Sequence, residues 1–476
     1  MNLSFSYMYS KYVSMSDDKK ATIWYAICNI LQKGVIFITT PVITRLLSTD
    51  DYGVYSVFLS WRDILIIFAT LNLYQGVFTK ILVDNKHRQD ECTSSIQGLG
   101  WFFSFVFAFI YVLFREKVNS TLGQDTLSMS CLILYFFFFP AYSLWCTKQR
   151  VNYKYKKMVV VTIVLTFATP LLTILLLLTT ELRADAAIVG SVLCYGIGGV
   201  IFSILNIYKG KILYVKRDWM YAVRFNVPLI PHYLAMIVLA HSDVIMIKLY
   251  CGETKAGMYS LAYQIASVMN VLYIAINNSF VPKSFELLKS NMINILNVKT
   301  NKLLVLTGVF MLLLIMISPE FLGVMGGDNY RDAVYVIPPV SCALYLMFCY
   351  GFFNNIEFYF EKTSYLMAAS SISAILNLLL NLMFIPIFGY LVAAYTTLVC
   401  YAILLVVHYL FSHKICLKQF GEDVYNWKGI LSIILIMFLG SIISLVSYCN
   451  DFARWIMVVC FVIALYKKRY YLLGLL

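Results

Sequence analysis

The chain places ionisable side chains inside long apolar runs, among them Lys33, Arg45, Arg62, Asp63, His232, Asp243 and Lys248. A charged group at the centre of a bilayer costs at least about 2.5 to 3.5 kcal/mol, so such groups usually face a wet cavity or a partner. Lys33, Arg45, Arg62 and Lys248 against Asp63 and Asp243 bias any shared cavity towards an anionic ligand. Asp63, His232 and Asp243 are also the candidates for coupling to H⁺ or Na⁺.

Helical spacing groups these residues with neutral polar ones. At about 100° per residue, Thr22, Asn29, Lys33, Thr40 and Thr44 fall within an arc of about 60°, a stripe suited to a water-filled cavity. Ser56, Ser60, Asp63, Thr70 and Tyr74 share a face of the next helix, and Arg62 lies about 100° from Asp63. Lys33 is therefore the expected partner of Asp63, either as a structural pair or as two members of a ligand site. Further on, His232 and Asp243 lie about 20° apart in projection, as do Asn270 and Asn277, while Ser370, Ser373, Asn377 and Asn381 line one side of a later helix. These read as a hydrogen-bonding wall, and such stripes serve equally as interhelical glue. Arg45 and Lys248, near helix ends, read as side chains that snorkel to the interface.

The elements that must position these groups are membrane helices. With 61% hydrophobic and 13% charged residues among 476, the chain has too little polar surface for a soluble globule. Its apolar runs are about 20 residues long, the length of a helix across hydrocarbon, without the short alternation of a barrel. The fold class is thus an all-α integral membrane protein, with about 14 expected spans, including 54–79, 257–280 and a short last one at 452–466. Alternate connections carry 27 lysines and arginines against 6 in the others, which predicts cytoplasmic N- and C-termini. The net charge of +13 follows this pattern and reads as membrane orientation and contact with anionic lipid, through clusters such as Lys154, Lys156 and Lys157, rather than as a nucleic-acid footprint.

Several chemistries have no motif here. The twelve cysteines form no C-x-x-C pair, the five histidines complete no H-E-x-x-H, and no phosphate-binding G-x-x-x-x-G-K-[ST] is present, so no cofactor or metal site is expected.

An internal echo divides the chain. Gly53-Val54-Tyr55-Ser56 returns as Gly257-Met258-Tyr259-Ser260, and AIVGSVLCY from Ala187 returns as AAYTTLVCY from Ala393. Two echoes at nearly one offset indicate duplication. The expected organisation is an N-terminal segment at 1–21, a six-helix lobe at 22–207, a linker at 208–226, a second six-helix lobe at 227–411, and a segment at 412–476 with two further helices. Each half holds an even number of spans, so the copies share one membrane orientation.

ITRLLSTDDYGVYS, FNVPLIPHYLAMIVLAHSDVIMIKLYCGETKAGMYSLAYQIA and LNLLLNLMFIPIFGYLVAAYTTLVCYAILL, in this order, resemble bacterial polysaccharide repeat-unit flippases of the Wzx type. These O-antigen and capsule transporters belong to the multidrug/oligosaccharidyl-lipid/polysaccharide exporter superfamily. The resemblance implies a V-shaped pair of lobes around a central cavity in the bacterial inner membrane. It also implies movement of an undecaprenyl-diphosphate-linked oligosaccharide to the periplasmic leaflet, with polysaccharide polymerase or assembly proteins as partners. Lys33, Arg45, Arg62 and Asp63 are the positions that match the charged first-lobe cavity of such relatives. Relatives often carry a basic residue after the seventh-span aspartate, where this chain has Val244.

Two other classes compete. A multidrug/cation antiporter of the same superfamily would have a more acidic cavity. A polysaccharide polymerase or membrane glycosyltransferase normally needs a substantial loop, and the longest non-cytoplasmic connection expected here is only 115–125.

Overall fold

The computed structural model describes residues 13–467, and its secondary structure is helical throughout that range. The expected cytoplasmic ends at 1–12 and 468–476 lie outside the described residues. In chain order the helices are α1 Asp17–Leu46, α2 Thr49–Thr70, α3 Gly76–Asp84, α4 Gln89–Leu113, α5 Arg115–Leu122, α6 Thr126–Val151, α7 Tyr155–Thr179, α8 Ala184–Gly210 and α9 Lys216–Asn226. They continue as α10 Ile230–Cys251, α11 Glu253–Ala266, α12 Val268–Lys289, α13 Ile293–Gly326, α14 Ile337–Tyr359, α15 Thr363–Phe388, α16 Val392–Phe420, α17 Trp427–Val446 and α18 Asp451–Lys467. Among the described residues, thirteen stretches are long and apolar enough to cross a membrane. The fourteenth expected span is α18, which at 17 residues is about 26 Å long.

Contacts divide the described residues into two compact units. One holds the residues up to Leu47 together with Phe58–Leu234, and the other holds Ser48–Val57 together with the residues from Ala235 onward.

In the first unit, α6 and α8 approach closely because Gly199 leaves no side chain. A Cβ there would run into the backbone and Cβ of Phe138. Asn206 on α8 donates to Gln97 Oε1 on α4 at 2.9 Å and to the Ala141 carbonyl on α6 at 3.1 Å, tying the three helices with a buried amide pair. The linker expected at 208–226 contains the amphipathic helix α9. Its Trp219 donates to the Ser95 carbonyl at 2.8 Å, and its Asp218 pairs with Arg88.

The span expected over 54–79 is two helices instead. α2 stops at Thr70, Leu71 and Asn72 adopt positive φ, and α3 starts at Gly76. The broken end is satisfied from two sides: Thr70 Oγ1 accepts from Asn72 N at 3.2 Å, and Asn226 donates to the Leu71 carbonyl. The span expected over 257–280 also differs, as α11 and α12 meet at Ser267, whose hydroxyl returns to the Gln264 carbonyl at 2.7 Å.

In the second unit, α2 begins with a reciprocal cap. Ser48 Oγ donates to Asp51 Oδ2 at 2.6 Å and accepts from Asp51 N at 3.1 Å. Asp50 accepts from Thr254, its counterpart 204 residues later. Helix α14 is the centre of this unit, with neighbours on all sides, and runs almost entirely buried from Ile337 to Glu357.

Candidate functional site

In the first unit, Arg62 on α2 carries the most distinctive chemistry. Its Nε contacts Asp63 Oδ1 at 2.9 Å, and its guanidinium carbon stands 5.4 Å from the centre of the Tyr135 ring on α6. Tyr135 stacks on Phe139 at 4.6 Å and meets Tyr195 of α8 edge-on at 6.2 Å, and Tyr74 meets Phe139 edge-on at 5.9 Å. A guanidinium with an aromatic face behind it still presents planar N–H donors to an anion. Both members of the ion pair are partly accessible, at 21% and 33% for the Arg62 and Asp63 side chains.

This corrects the expected Lys33–Asp63 pair. Adjacent residues on a helix point about 100° apart, but the long arginine side chain bends along the surface and brings Nε to the neighbouring carboxylate. Lys33 is exposed and makes no ion pair among the described residues, and Asn29 is exposed as well. Arg45 is exposed in the last turn of α1. The face of α1 that packs on α7 is the one carrying Ala21 and Cys28, which cluster with Tyr155 and Val159.

In the second unit, Asp243 of α10 is the organising residue. Its carboxylate is buried and accepts from Tyr259 Oη at 2.6 Å and Thr397 Oγ1 at 2.7 Å on Oδ2, and from Asn381 Nδ2 at 2.6 Å on Oδ1. A second layer orients these donors. Thr396 donates to Asn381 Oδ1, Asn377 Nδ2 donates to Thr397 Oγ1 at 3.2 Å, and Ser242 donates to Asn377 Oδ1 at 3.0 Å. Helices α10, α11, α15 and α16 thus converge on one carboxylate through neutral hydroxyls and amides, a setting able to hold it ionised, to protonate it, or to give oxygen ligands to a small cation.

The candidate residues therefore separate. Asp243, Asn377 and Asn381 come together, and both asparagines are fully buried. Asn270 and Asn277 are half-buried on α12, and the Asn270 side-chain oxygen is buried without a hydrogen-bond partner among the described residues. His232 is half-buried beside Tyr233 and belongs to the first unit. Lys248 faces Glu253 at 3.6 Å. Tyr135, Tyr195, Tyr259, Thr396 and Thr397 were not among the expected site residues. For three of them a signal existed, since Tyr259 lies in one repeated stretch and Thr396 and Thr397 in the other.

Comparison with known proteins places this geometry in a family. The lipid II flippase MurJ in an inward closed conformation superposes with a TM-score of 0.68 at 14% identity, covering 94% of this chain and 99% of that one. An inward-facing multidrug resistance MATE family transporter of the MOP superfamily superposes with a TM-score of 0.67 at 10% identity, over 83% of this chain and 99% of that one. An uncharacterized membrane protein of Haemophilus influenzae is 24% identical over 372 residues, 74% of this chain and 87% of its own length. The all-α fold with membrane-spanning helices is the one that the flippase and the MATE transporter share. A family model described as polysaccharide biosynthesis protein matches residues 19–288, more than half of the chain, and the protein belongs to that family.

Proposed function

We propose that the protein is a flippase for lipid-linked oligosaccharide in polysaccharide biosynthesis, moving an undecaprenyl-diphosphate-linked repeat unit of O-antigen, capsule or a similar polymer from the cytoplasmic to the periplasmic leaflet. The observation that carries this reading is Arg62, partly accessible and backed by Tyr135, in a member of the polysaccharide biosynthesis protein family with a flippase fold. A guanidinium matches a diphosphate bidentately, and the aromatic rings behind it hold its plane. Lys33 and Arg45 add positive charge to the same unit. A cell interior negative by about 100 mV favours outward movement of each negative charge by about 2.3 kcal/mol.

In this reading the chain is a multi-pass inner-membrane protein with cytoplasmic termini, six-helix lobes at 22–207 and 227–411, and no catalytic residue. Anionic lipid contacts its basic connections, and polymerase or assembly proteins take over its product. The Asp243 cluster is the coupling site for H⁺ or Na⁺, with Asp63 and His232 as further candidates. Reconstituting the protein in liposomes with an undecaprenyl-diphosphate-linked disaccharide, and following its exposure on the opposite leaflet, tests the reading directly. No exposure above protein-free liposomes would end it. The Asp243 cluster would also serve a MATE-like multidrug/cation antiporter, for which cells lacking the protein become dye-sensitive while their surface polysaccharide stays normal.

A further inference from the structure

Away from Asp243, at the end of α14 that leads into residues 360–362, lies a second buried ionisable pair. Glu357 Oε1 of α14 stands 2.8 Å from His408 Nδ1 of α16, and the two side chains are 0% and 4% exposed. Tyr350, on the same face of α14 two turns earlier, stacks on the imidazole with ring centres 5.0 Å apart and planes 13° apart. Tyr350 also stacks with Tyr401, with ring centres 6.3 Å apart.

Tyr401 and His408 share a face of α16 with Thr397, which donates to Asp243. The eleven-residue interval from Thr397 to His408 spans about 16 Å of helix. One stripe of α16 therefore runs from the Asp243 cluster through Tyr401 to the Glu357–His408 pair.

Burying an ion pair is costly, and replacing it by apolar groups of the same shape is often neutral or stabilising, so packing alone gives no reason to keep one here. The pair is also incompletely satisfied. Glu357 Oε2 is buried and has no hydrogen-bond partner among the described residues, whereas a carboxylate built only to hold two helices together would have both oxygens occupied. The open oxygen is the place for a proton. Protonation at Oε2 removes the cost of an unsolvated anionic oxygen, and the stacked face of Tyr350 stabilises the imidazolium left beside a neutral acid.

The surrounding groups leave this position to the pair. Tyr350 and Tyr401 are the titratable side chains in the stack, and Tyr273 of α12 stands beside Gly351. His413, further along α16, is bound to Asp423 at 2.7 Å, while Glu361 and Lys362 at the end of α14 are exposed.

We propose that Glu357 and His408 form a proton-binding site of the second unit, in series with Asp243. In the resting state one proton sits between Oε1 and Nδ1, and the pair is neutral overall. A second proton, delivered by water from the side of residues 360–362, binds Oε2 and leaves a neutral acid beside an imidazolium. The net charge rises by one, and the attraction between α14 and α16 weakens. Release to water reverses the step. The use of this site in transport rests on the flippase reading, but its proton chemistry does not.

The test is infrared difference spectroscopy of the purified full-length protein between acidic and alkaline buffer, paired with flipping of an undecaprenyl-diphosphate-linked disaccharide in liposomes across the same range. The wild type should show a protonated-carboxyl band on acidification that Glu357→Gln lacks. The same variant should still flip lipid, with a flattened pH profile. An unchanged band in Glu357→Gln, or an unchanged profile of flipping, overturns the proposal. A carboxyl band assigned to Glu357 in a protein that flips nothing supports the site and removes the flippase reading. If Glu357→Gln does not accumulate, His408→Asn decides, because loss of the imidazolium must shift the carboxyl band to higher pH, and an unmoved band overturns the proposal.

Discussion

Gly53 and Gly257, equivalent positions of the repeated Gly-x-Tyr-Ser stretch, lie against one another. A Cβ added to Gly257 would stand 2.9 Å from the Gly53 nitrogen and 2.6 Å from the Thr49 carbonyl oxygen, and one added to Gly53 would run into the backbone of Glu253. The glycines are therefore required by contact between backbones, not by turn geometry. Asp50 and Thr254 bond across the same crossing, and Tyr52 reaches Gln264 at 3.3 Å beside it.

Gly257→Ala should destabilise the protein by about 1–3 kcal/mol, because backbone cannot move aside as a side-chain tip can. Gly53→Ala should do the same. The check is the melting temperature of each purified variant in detergent, with Gly34→Ala as the control, since a Cβ at Gly34 meets nothing within 4 Å. A melting temperature for Gly257→Ala equal to that of the control would show that the crossing adjusts freely.

Arg62→Ala should lower export of lipid-linked oligosaccharide by about tenfold or more with normal protein abundance, since a hydrogen bond to a charged group is worth about 1.5–3 kcal/mol. Arg62→Lys should recover only part of it, because an ammonium cannot present a planar fork while lying over the Tyr135 ring. Surface polysaccharide and membrane-protein abundance, measured together, check both. Full export by Arg62→Ala would exclude the guanidinium as the anion site.

Lys33→Ala separates charge from structure in α1. Lys33 is exposed and Asp63 is paired with Arg62, so the substitution should leave folded protein unchanged, and Asp63→Ala should not rescue any loss of export. Recovery of export in the double variant would restore the pairing of Lys33 with Asp63.

Much of this architecture was legible in the sequence, because hydrocarbon demands long apolar helices and the repeat carries its own signature. The break after Thr70 was not, since the residue that caps the opened end at the Leu71 carbonyl, Asn226, is distant in the chain. The stripe of Asn377 and Asn381 was visible as polar, but periodicity gives the face of a helix and not its neighbour. That α10 and α16 supply Asp243, Thr396 and Thr397 to that stripe depends on packing. The Arg62–Asp63 contact was hidden for a different reason: projection angles describe Cβ directions, while an arginine reaches several ångströms from its Cβ.

The orientation expected from the distribution of basic residues has a direct check. Asn119 and Lys154 flank α6, a 26-residue helix about 39 Å long, so they emerge on opposite sides of a membrane that it spans. A reporter fused after Lys154 should read cytoplasmic and one after Asn119 periplasmic. Both reading the same side would remove α6 from the set of spans.

Asp243→Asn tests the cluster at the centre of the second unit. The aspartate is surrounded by donors: Tyr259 and Thr397 on one oxygen, Asn381 on the other. An amide of the same shape puts an NH₂ where an acceptor stood. Facing Asn381 it would oppose another NH₂, and facing Tyr259 and Thr397 it would force those hydroxyls to turn. The hydroxyls can rotate and the Asn381 amide is held by Thr396, so the new NH₂ should settle towards Oη and Oγ1. The fold should survive with a loss of about 1–3 kcal/mol, the usual cost of weakening a buried network. What the substituted amide cannot do is gain and lose a charge. Flipping by Asp243→Asn in liposomes should therefore no longer respond to an imposed H⁺ or Na⁺ gradient, while Asn377→Ala, which leaves the carboxylate in place, should keep a response of reduced size. A gradient response in Asp243→Asn equal to that of the wild type would place the coupling ion elsewhere.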